Sequence, residues 1–264
     1  MQKLIRGIAV TTVVAGAVLM WGQTAPATAP TAPAQAAAPA AAAPSLTADQ
    51  VVDKYLDAIG GKEAIGQVKS LSMTTSAQVM GTDAPGTIVV VDGVGYRSDT
   101  TFNDAKITTA FTAKNGWQVN AMAGMNDPTP LPDDQYNAGK DQIFVGGQLY
   151  DYAAKGSKLE LASSDKDTYT LKLTTKDGLD TTYVIDGATF LLKSSTRKGK
   201  MQDQDVDITT SYSDYQKVDG GYMVPRTLLV DLGGQFQIPI TVTKVEVNKT
   251  IDPTVFDMPT TPKT

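Results

Sequence analysis

Ser70-Leu71-Ser72-Met73-Thr74-Thr75-Ser76-Ala77-Gln78-Val79 is the stretch that decides the fold class. Leu71, Met73, Ala77 and Val79 alternate with Ser70, Ser72, Thr74, Ser76 and Gln78. A period of two sends one row of side chains into a core and the other into water, so this is a half-buried strand. Just before it the period is 3.6. Thr47-Ala48-Asp49-Gln50 is a capping-box pattern. Val51, Val52, Tyr55, Leu56 and Ile59 then recur at helical spacing. Gly60-Gly61 supplies the left-handed residue on which helices often end. A second short helix is expected from Lys62 to about Val68.

Downstream the strand pattern repeats. Ile88 to Val91, Tyr96 to Phe102, Lys106 to Thr112 and Trp117 to Ala121 read as strands, the last two flanking the hairpin signal Lys114-Asn115-Gly116. Lys158 to Ala162, Thr168 to Thr174, Thr181 to Asp186, Thr189 to Thr196, Val206 to Tyr212, Tyr222 to Asp231 and Phe236 to Val247 continue the set. Arg197-Lys198-Gly199-Lys200 reads as a solvated turn between two of them. Leu131 to Lys155 is the exception: Pro132-Asp133-Asp134 resembles a helix start, and Gln148 to Ala154 reads as another short helix. About ten strands with few helices are too many for a flat sheet. They predict a mainly β fold built on one curled antiparallel sheet, with short helices over one face.

The chain has no histidine and no cysteine. Ser-His-Asp triads, Cys-His dyads, zinc hydrolysis and thiol redox chemistry are therefore excluded. Asp203-Gln204-Asp205-Val206-Asp207 has calcium-loop spacing, but Ile208 stands where that loop needs glycine, and the acids fit the wet face of a strand. Paired carboxylates for glycoside hydrolysis remain compatible with 28 acidic residues, yet none stands in an aromatic-rich setting that would raise its pKa. The expectation is a protein that is not an enzyme, with no metal and no cofactor.

Lys3 and Arg6 followed by the apolar stretch Gly7 to Trp21 read as an export signal over 1–21, with an uncleaved anchor as the alternative. Residues 22–44, almost all Ala, Pro and Thr, read as a disordered linker, leaving one domain at 45–264. Of the 23 basic residues only Lys3 and Arg6 lie in the first 44 positions, and none of the 28 acids does, so the remainder carries −7. That acidity argues against a nucleic-acid partner.

Several stretches, taken in order, resemble the periplasmic lipoprotein carrier (LolA/LolB-like) superfamily and its outer-membrane lipoprotein-sorting-like members. They are Val52 to Glu63, Val68 to Met73, Asn115-Gly116-Trp117, Tyr183-Val184-Ile185-Asp186, Thr189-Phe190-Leu191-Leu192, Tyr215 to Arg226 with Gly220-Gly221-Tyr222, and Phe256-Asp257-Met258-Pro259. The resemblance implies an unclosed half-barrel of antiparallel strands around an apolar cavity, with helices as a lid, holding a lipid or an acyl chain in the periplasm. Its best-known members have a basic residue before Pro-Asn that ties the lid shut. No such tripeptide occurs here, and Arg97 stands in that neighbourhood without the motif. Given such a fold, Met73, Val90, Phe102, Trp117, Val119, Leu171 and Leu173 are the candidate cavity walls, with Tyr55 and Leu56 closing the top. The partner would be a lipid or an acylated protein, with a transient membrane or envelope-protein contact, and the protein a monomer. The alternative is an envelope interaction domain whose core is filled.

Overall fold

The chain enters the fold through a helix that its own sequence caps. The computed structural model describes residues 46–201 and 204–260. The expected signal at 1–21, the linker at 22–44 and Asp203 lie outside the described residues. In α1 (Ala48–Ala58) the Thr47 hydroxyl accepts from the Gln50 N–H, and the Gln50 side chain accepts from the Thr47 N–H at 2.9 Å. Val51, Val52 and Leu56 are buried on one face. Gly60 ends the helix at φ 124°, and a Cβ there would stand 2.6 Å from the Gly221 carbonyl oxygen, so only glycine fits. A short α2 (Gly61–Gln67) follows.

Among the described residues the strands form one antiparallel sheet of thirteen. In chain order they are β1 (Ser70–Val79), β2 (Thr82–Val91), β3 (Gly95–Phe102), β4 (Ala105–Thr112), β5 (Gly116–Asn120), β6 (Met125–Pro130), β7 (Lys158–Ser164), β8 (Thr168–Thr174), β9 (Asp180–Asp186), β10 (Leu192–Met201), β11 (Gln204–Lys217), β12 (Met223–Leu232) and β13 (Phe236–Val247). In space the order is β6-β5-β4-β3-β2-β1-β13-β12-β11-β10-β9-β8-β7. Two meanders are thus joined where β1 pairs with β13, and β6 and β7 are free edges.

The sheet is curled and not closed into a barrel. Phe111 of β4 and Leu171 of β8 belong to one hydrophobic cluster with α1, although their strands stand nine places apart. A flat sheet would separate them by about 40 Å at roughly 4.8 Å per strand. Register fixes the inner face: Leu71 faces Val90, Val90 faces Tyr96, and Tyr96 faces Phe111 across successive pairs. A second cluster, including Ala77, Phe102, Ile208, Val230 and Ile240, fills the far end of that same face.

The 27-residue segment 131–157 links the two edge strands and crosses the open side as a strap. It carries α3 (Asp133–Gly139). The Leu131 N–H bonds the Gly116 carbonyl at 2.9 Å, Tyr136 donates to the Thr112 carbonyl at 3.2 Å, and Lys140 pairs with Asp177 in the β8–β9 turn at 2.5 Å.

The structure corrects the sequence reading at several points. Arg197 to Lys200 is not a turn but part of β10: Arg197 sits opposite Ile208, and Lys198 reaches Asp207 across the strand pair at 2.7 Å. Gln148 to Ala154 forms successive turns, not a helix. β6 carries Pro128 and Pro130, which argue against a strand except at an edge, where the missing donors cost no ladder bond.

The outer face has its own anchor. The aromatic ring of Phe256, 1% exposed, packs where a Cβ on Gly95 would stand 2.4 Å away, and the Trp117 indole N–H donates to the Phe256 carbonyl at 2.7 Å. Arg97 belongs here, not to the strap. It grips Asp99 through Nε at 2.6 Å and Nη2 at 2.9 Å, donates to the Val255 carbonyl at 2.9 Å, and lies 5.4 Å from the Trp117 ring.

Replacing Phe256 by alanine is expected to cost about 3–5 kcal/mol, read as a lower urea midpoint at an unchanged slope. Asp99 makes a second test. Burial pushes its carboxyl up, but hydrogen bonds from Arg97 and Thr108 outweigh this and hold it below its ordinary value. Such a group stabilises the fold above the unfolded value of about 3.9 and stops doing so as pH falls through the lower folded value. Wild type should therefore exceed Asp99→Asn in stability at neutral pH, with the gap closing below about pH 4. A gap independent of pH would contradict this role for Asp99.

Candidate functional site

Between the strap, α1 and the inner face lies a cavity of about 370 Å³. Tyr55 projects from α1 and Ile59 from its C-cap, and Phe144 to Leu149 come from the strap. Opposite them stand the inward rows of β9, β10 and β11: Thr181 and Tyr183, then Ser195 and Arg197, then Thr210 and Tyr212. Tyr96 of β3 closes the far side.

A local kink adds to this wall. Asp214 adopts φ 52°, and beyond it the alternation of β11 changes phase. Thr210 and Tyr212 face inward before Asp214, yet Tyr215, with Pro225 and Met223 across the pair, also lines the cavity. Two tyrosines three residues apart on one strand can share a wall only because of that break.

The surface so built is amphipathic. Six tyrosines line it (Tyr55, Tyr96, Tyr183, Tyr212, Tyr215 and Tyr222), with aliphatic area from Ile59, Leu149, Leu192 and Met223. Three phenols are committed to the fold as donors: Tyr183 to Gln148 Oε1 at 2.6 Å, Tyr215 to the Leu192 carbonyl at 2.9 Å, and Tyr222 to the Val145 carbonyl at 3.2 Å. Tyr212 and Ser195 share a hydrogen bond of 2.9 Å. Burial pushes all six phenols up, Tyr96 and Tyr222 to about 12, so every one is neutral at neutral pH. Arg197 is the cation of the floor. Burial pushes its guanidinium down, Tyr212, Tyr183 and Tyr96 counter this, and an arginine stays protonated regardless.

Of the candidate walls read from sequence, Tyr55 alone lines this cavity. Leu56, Val90, Leu171 and Leu173 are packed in the main cluster, and Phe102 in the second. Met73 is half-buried, paired with Ile88 and Val245. Trp117 and Val119 lie on the opposite face of the sheet. Trp117 pairs with Ala110, in the row of Arg97, beneath the C-terminal segment. Both border a different, outer hollow of about 390 Å³ with Pro259. The tyrosines and Arg197 were missed, although Tyr183 and Tyr222 stand within the stretches that carry the family resemblance. Among the described residues, no group of three or more carboxylates is placed to hold a metal ion.

No protein-family profile and no curated protein matches the sequence. Solved structures do match. A putative outer membrane lipoprotein-sorting protein domain from Vibrio parahaemolyticus superposes with a TM-score of 0.52 at 10% identity, over 80% of this chain and 96% of that one. A LolA superfamily protein from Nitrosomonas europaea gives 0.52 at 12%, over 81% and 98%. A DUF1329 family protein from Desulfovibrio piger gives 0.51 at 13%, over 80% and 97%. At such identities the likeness is one of fold, and the fold of this domain is that of the LolA-superfamily and lipoprotein-sorting structures.

Proposed function

We propose that the domain is a periplasmic binding or carrier protein that holds a lipid or acyl chain in the cavity beneath the strap, without catalysing a reaction. The observation that carries this reading is the cavity itself. In a fold otherwise filled by two hydrophobic clusters, space remains where α1, the strap and the inner face meet, and aliphatic and aromatic side chains border it. Apolar burial would supply the affinity at about 0.8 kcal/mol per methylene. The fold likeness supports the same class of cargo, since two of the similar structures are described as a lipoprotein-sorting domain and a LolA superfamily protein. Among the described residues no helix is long and apolar enough to cross a membrane.

Release needs the strap to move; Leu131, Ile143, Val145 and Leu149 pack it into the main cluster, and polar contacts tie it as well. The polar contacts include the Lys140–Asp177 pair, the Tyr183–Gln148 hydrogen bond, the Val145 N–H on Asp92 at 2.9 Å, and the Tyr152 hydroxyl on Asp49 of α1. Such polar contacts exchange for water at small net cost, so the larger cost of opening is the apolar surface of the strap's own core residues.

Native mass spectrometry of protein purified from the periplasm without detergent should show a co-purifying lipid. Ala138→Trp, which fills the cavity from a half-buried position on α3, should lose it by about tenfold or more with little change in thermal midpoint. An apo mass in wild type, with no uptake of dodecanoate or lysophospholipid, would leave the filled-core interaction domain as the better reading. Lys140→Ala should raise the off-rate of a bound fluorescent fatty acid several-fold, with its on-rate within about twofold of wild type, because the tie is lost only from the closed state.

A further inference from the structure

Three of the phenols that line the cavity leave hydrogen-bonding capacity unused. Tyr215 gives its proton to the Leu192 carbonyl at 2.9 Å, and Tyr222 gives its own to the Val145 carbonyl at 3.2 Å. Once the proton is given, each oxygen can only accept. Among the described residues no other donor reaches either oxygen, and Tyr55 of α1 makes no hydrogen bond at all. Burial first, and then the nearby phenols of Tyr222 and Tyr215, push the Tyr55 hydroxyl up, as expected of three oxygens that share one part of the cavity. The rest of the polar lining is closed on itself. Tyr183 donates to Gln148 Oε1 at 2.6 Å, and Gln148 Nε2 donates to Asp141 at 3.2 Å. Tyr212 and Ser195 share a hydrogen bond of 2.9 Å, and Arg197 is itself partnered. Polar groups left unpaired on burial are costly. The volume is a second constraint. About 370 Å³ lies near the small end of ligand pockets, which run from roughly 300 to 1,000 Å³. That suits one chain better than the several chains of a bilayer lipid.

We propose that the ligand is a neutral single-chain lipid that ends in a hydroxyl, of the fatty-alcohol or monoacylglycerol class. Its hydroxyl donates to the Tyr215 and Tyr222 pair and accepts from Tyr55, and its chain lies along the aliphatic area of Ile59, Leu149, Leu192 and Met223. This rests on the carrier reading above and narrows it. A hydroxyl suits the place because it carries both a proton to give and lone pairs to receive one. An ether or a simple ester only accepts, so it would leave the two spent phenol oxygens unpaired. A carboxylate also only accepts, and it would bring a negative charge into the cavity that Asp141 already lines. A hydrocarbon without a polar end would leave all three phenols unpaired.

The test is displacement of a bound fluorescent fatty acid from the full chain by decanol, by methyl decyl ether and by decanoate, each below its solubility limit. Decanol and the ether carry the same chain and differ in the one proton. Decanol should bind at least about tenfold more tightly than the ether, and more tightly than decanoate. In the double variant Tyr215→Phe, Tyr222→Phe the alcohol-to-ether ratio should fall towards one while ether binding is retained. Tyr55→Phe should weaken alcohol and ether alike, since both can accept. The wild-type comparison needs no variant, so it stands even where a substitution harms folding. Equal binding of alcohol and ether in wild type would overturn the hydroxyl-headed ligand and leave the carrier reading intact. So would tighter binding of decanoate than of decanol, or an unchanged ratio in a folded double variant. Failure of every probe to bind, the fluorescent one included, would overturn both.

Discussion

Pairing of β1 with β13 is the constraint on which the rest of the structure depends. It places the first and last strands side by side at the middle of the sheet and so sends the midpoint of the chain to the two edges. The segment between β6 and β7 must then travel from one edge to the other. Because the sheet curls around α1, the short route is across its open side. The strap, the cavity beneath it and the free edges are consequences of that one antiparallel contact. The edges are protected by Pro128 and Pro130 on β6, and by Lys158 and Glu160 on β7.

Much of this architecture is legible in the sequence because alternation is a local property. The α1 cap, the Gly60 stop, and the limits of β8 and β13 were all readable from a few residues each, since capping and period-two patterns act over short range. What failed has a common physical cause. Alternation says which residues share a face but not which face is inward, so Trp117 and Val119 were assigned to a cavity that lies on the other side of the sheet. The tail that covers Trp117 is 139 residues away in sequence. β6 was hidden by its prolines, which only an edge position permits. Arg197 looked like part of a basic turn because charge clusters usually mark solvent, whereas the strand turns Arg197 inward and Lys198 outward to Asp207. The phase change at Asp214 depends on a backbone conformation that no side-chain pattern announces.

The character of the cavity follows from which residues remain once the core is satisfied. The strongest apolar residues, among them Leu56, Leu171 and Leu173, are consumed in packing the strap and α1 onto the sheet. The cavity is left to tyrosines, whose rings give contact area and whose hydroxyls find partners at the edges of the space. Neutral phenols, a guanidinium and a few aliphatic side chains make that surface part apolar and part polar. The similar structures share the backbone frame, at identities of 10 to 13%.

The central claim is that the ligand occupies the space under the strap and not the hollow on the outer face. Photo-crosslinking with a diazirine-labelled fatty acid, followed by peptide mapping, tests it most directly. The account predicts adducts on the strap and rim peptides containing Phe144, Leu149 and Met223, competed away by unlabelled dodecanoate. Adducts confined to the peptides of Trp117, Val119 and Pro259, or labelling that unlabelled fatty acid does not displace, would contradict it.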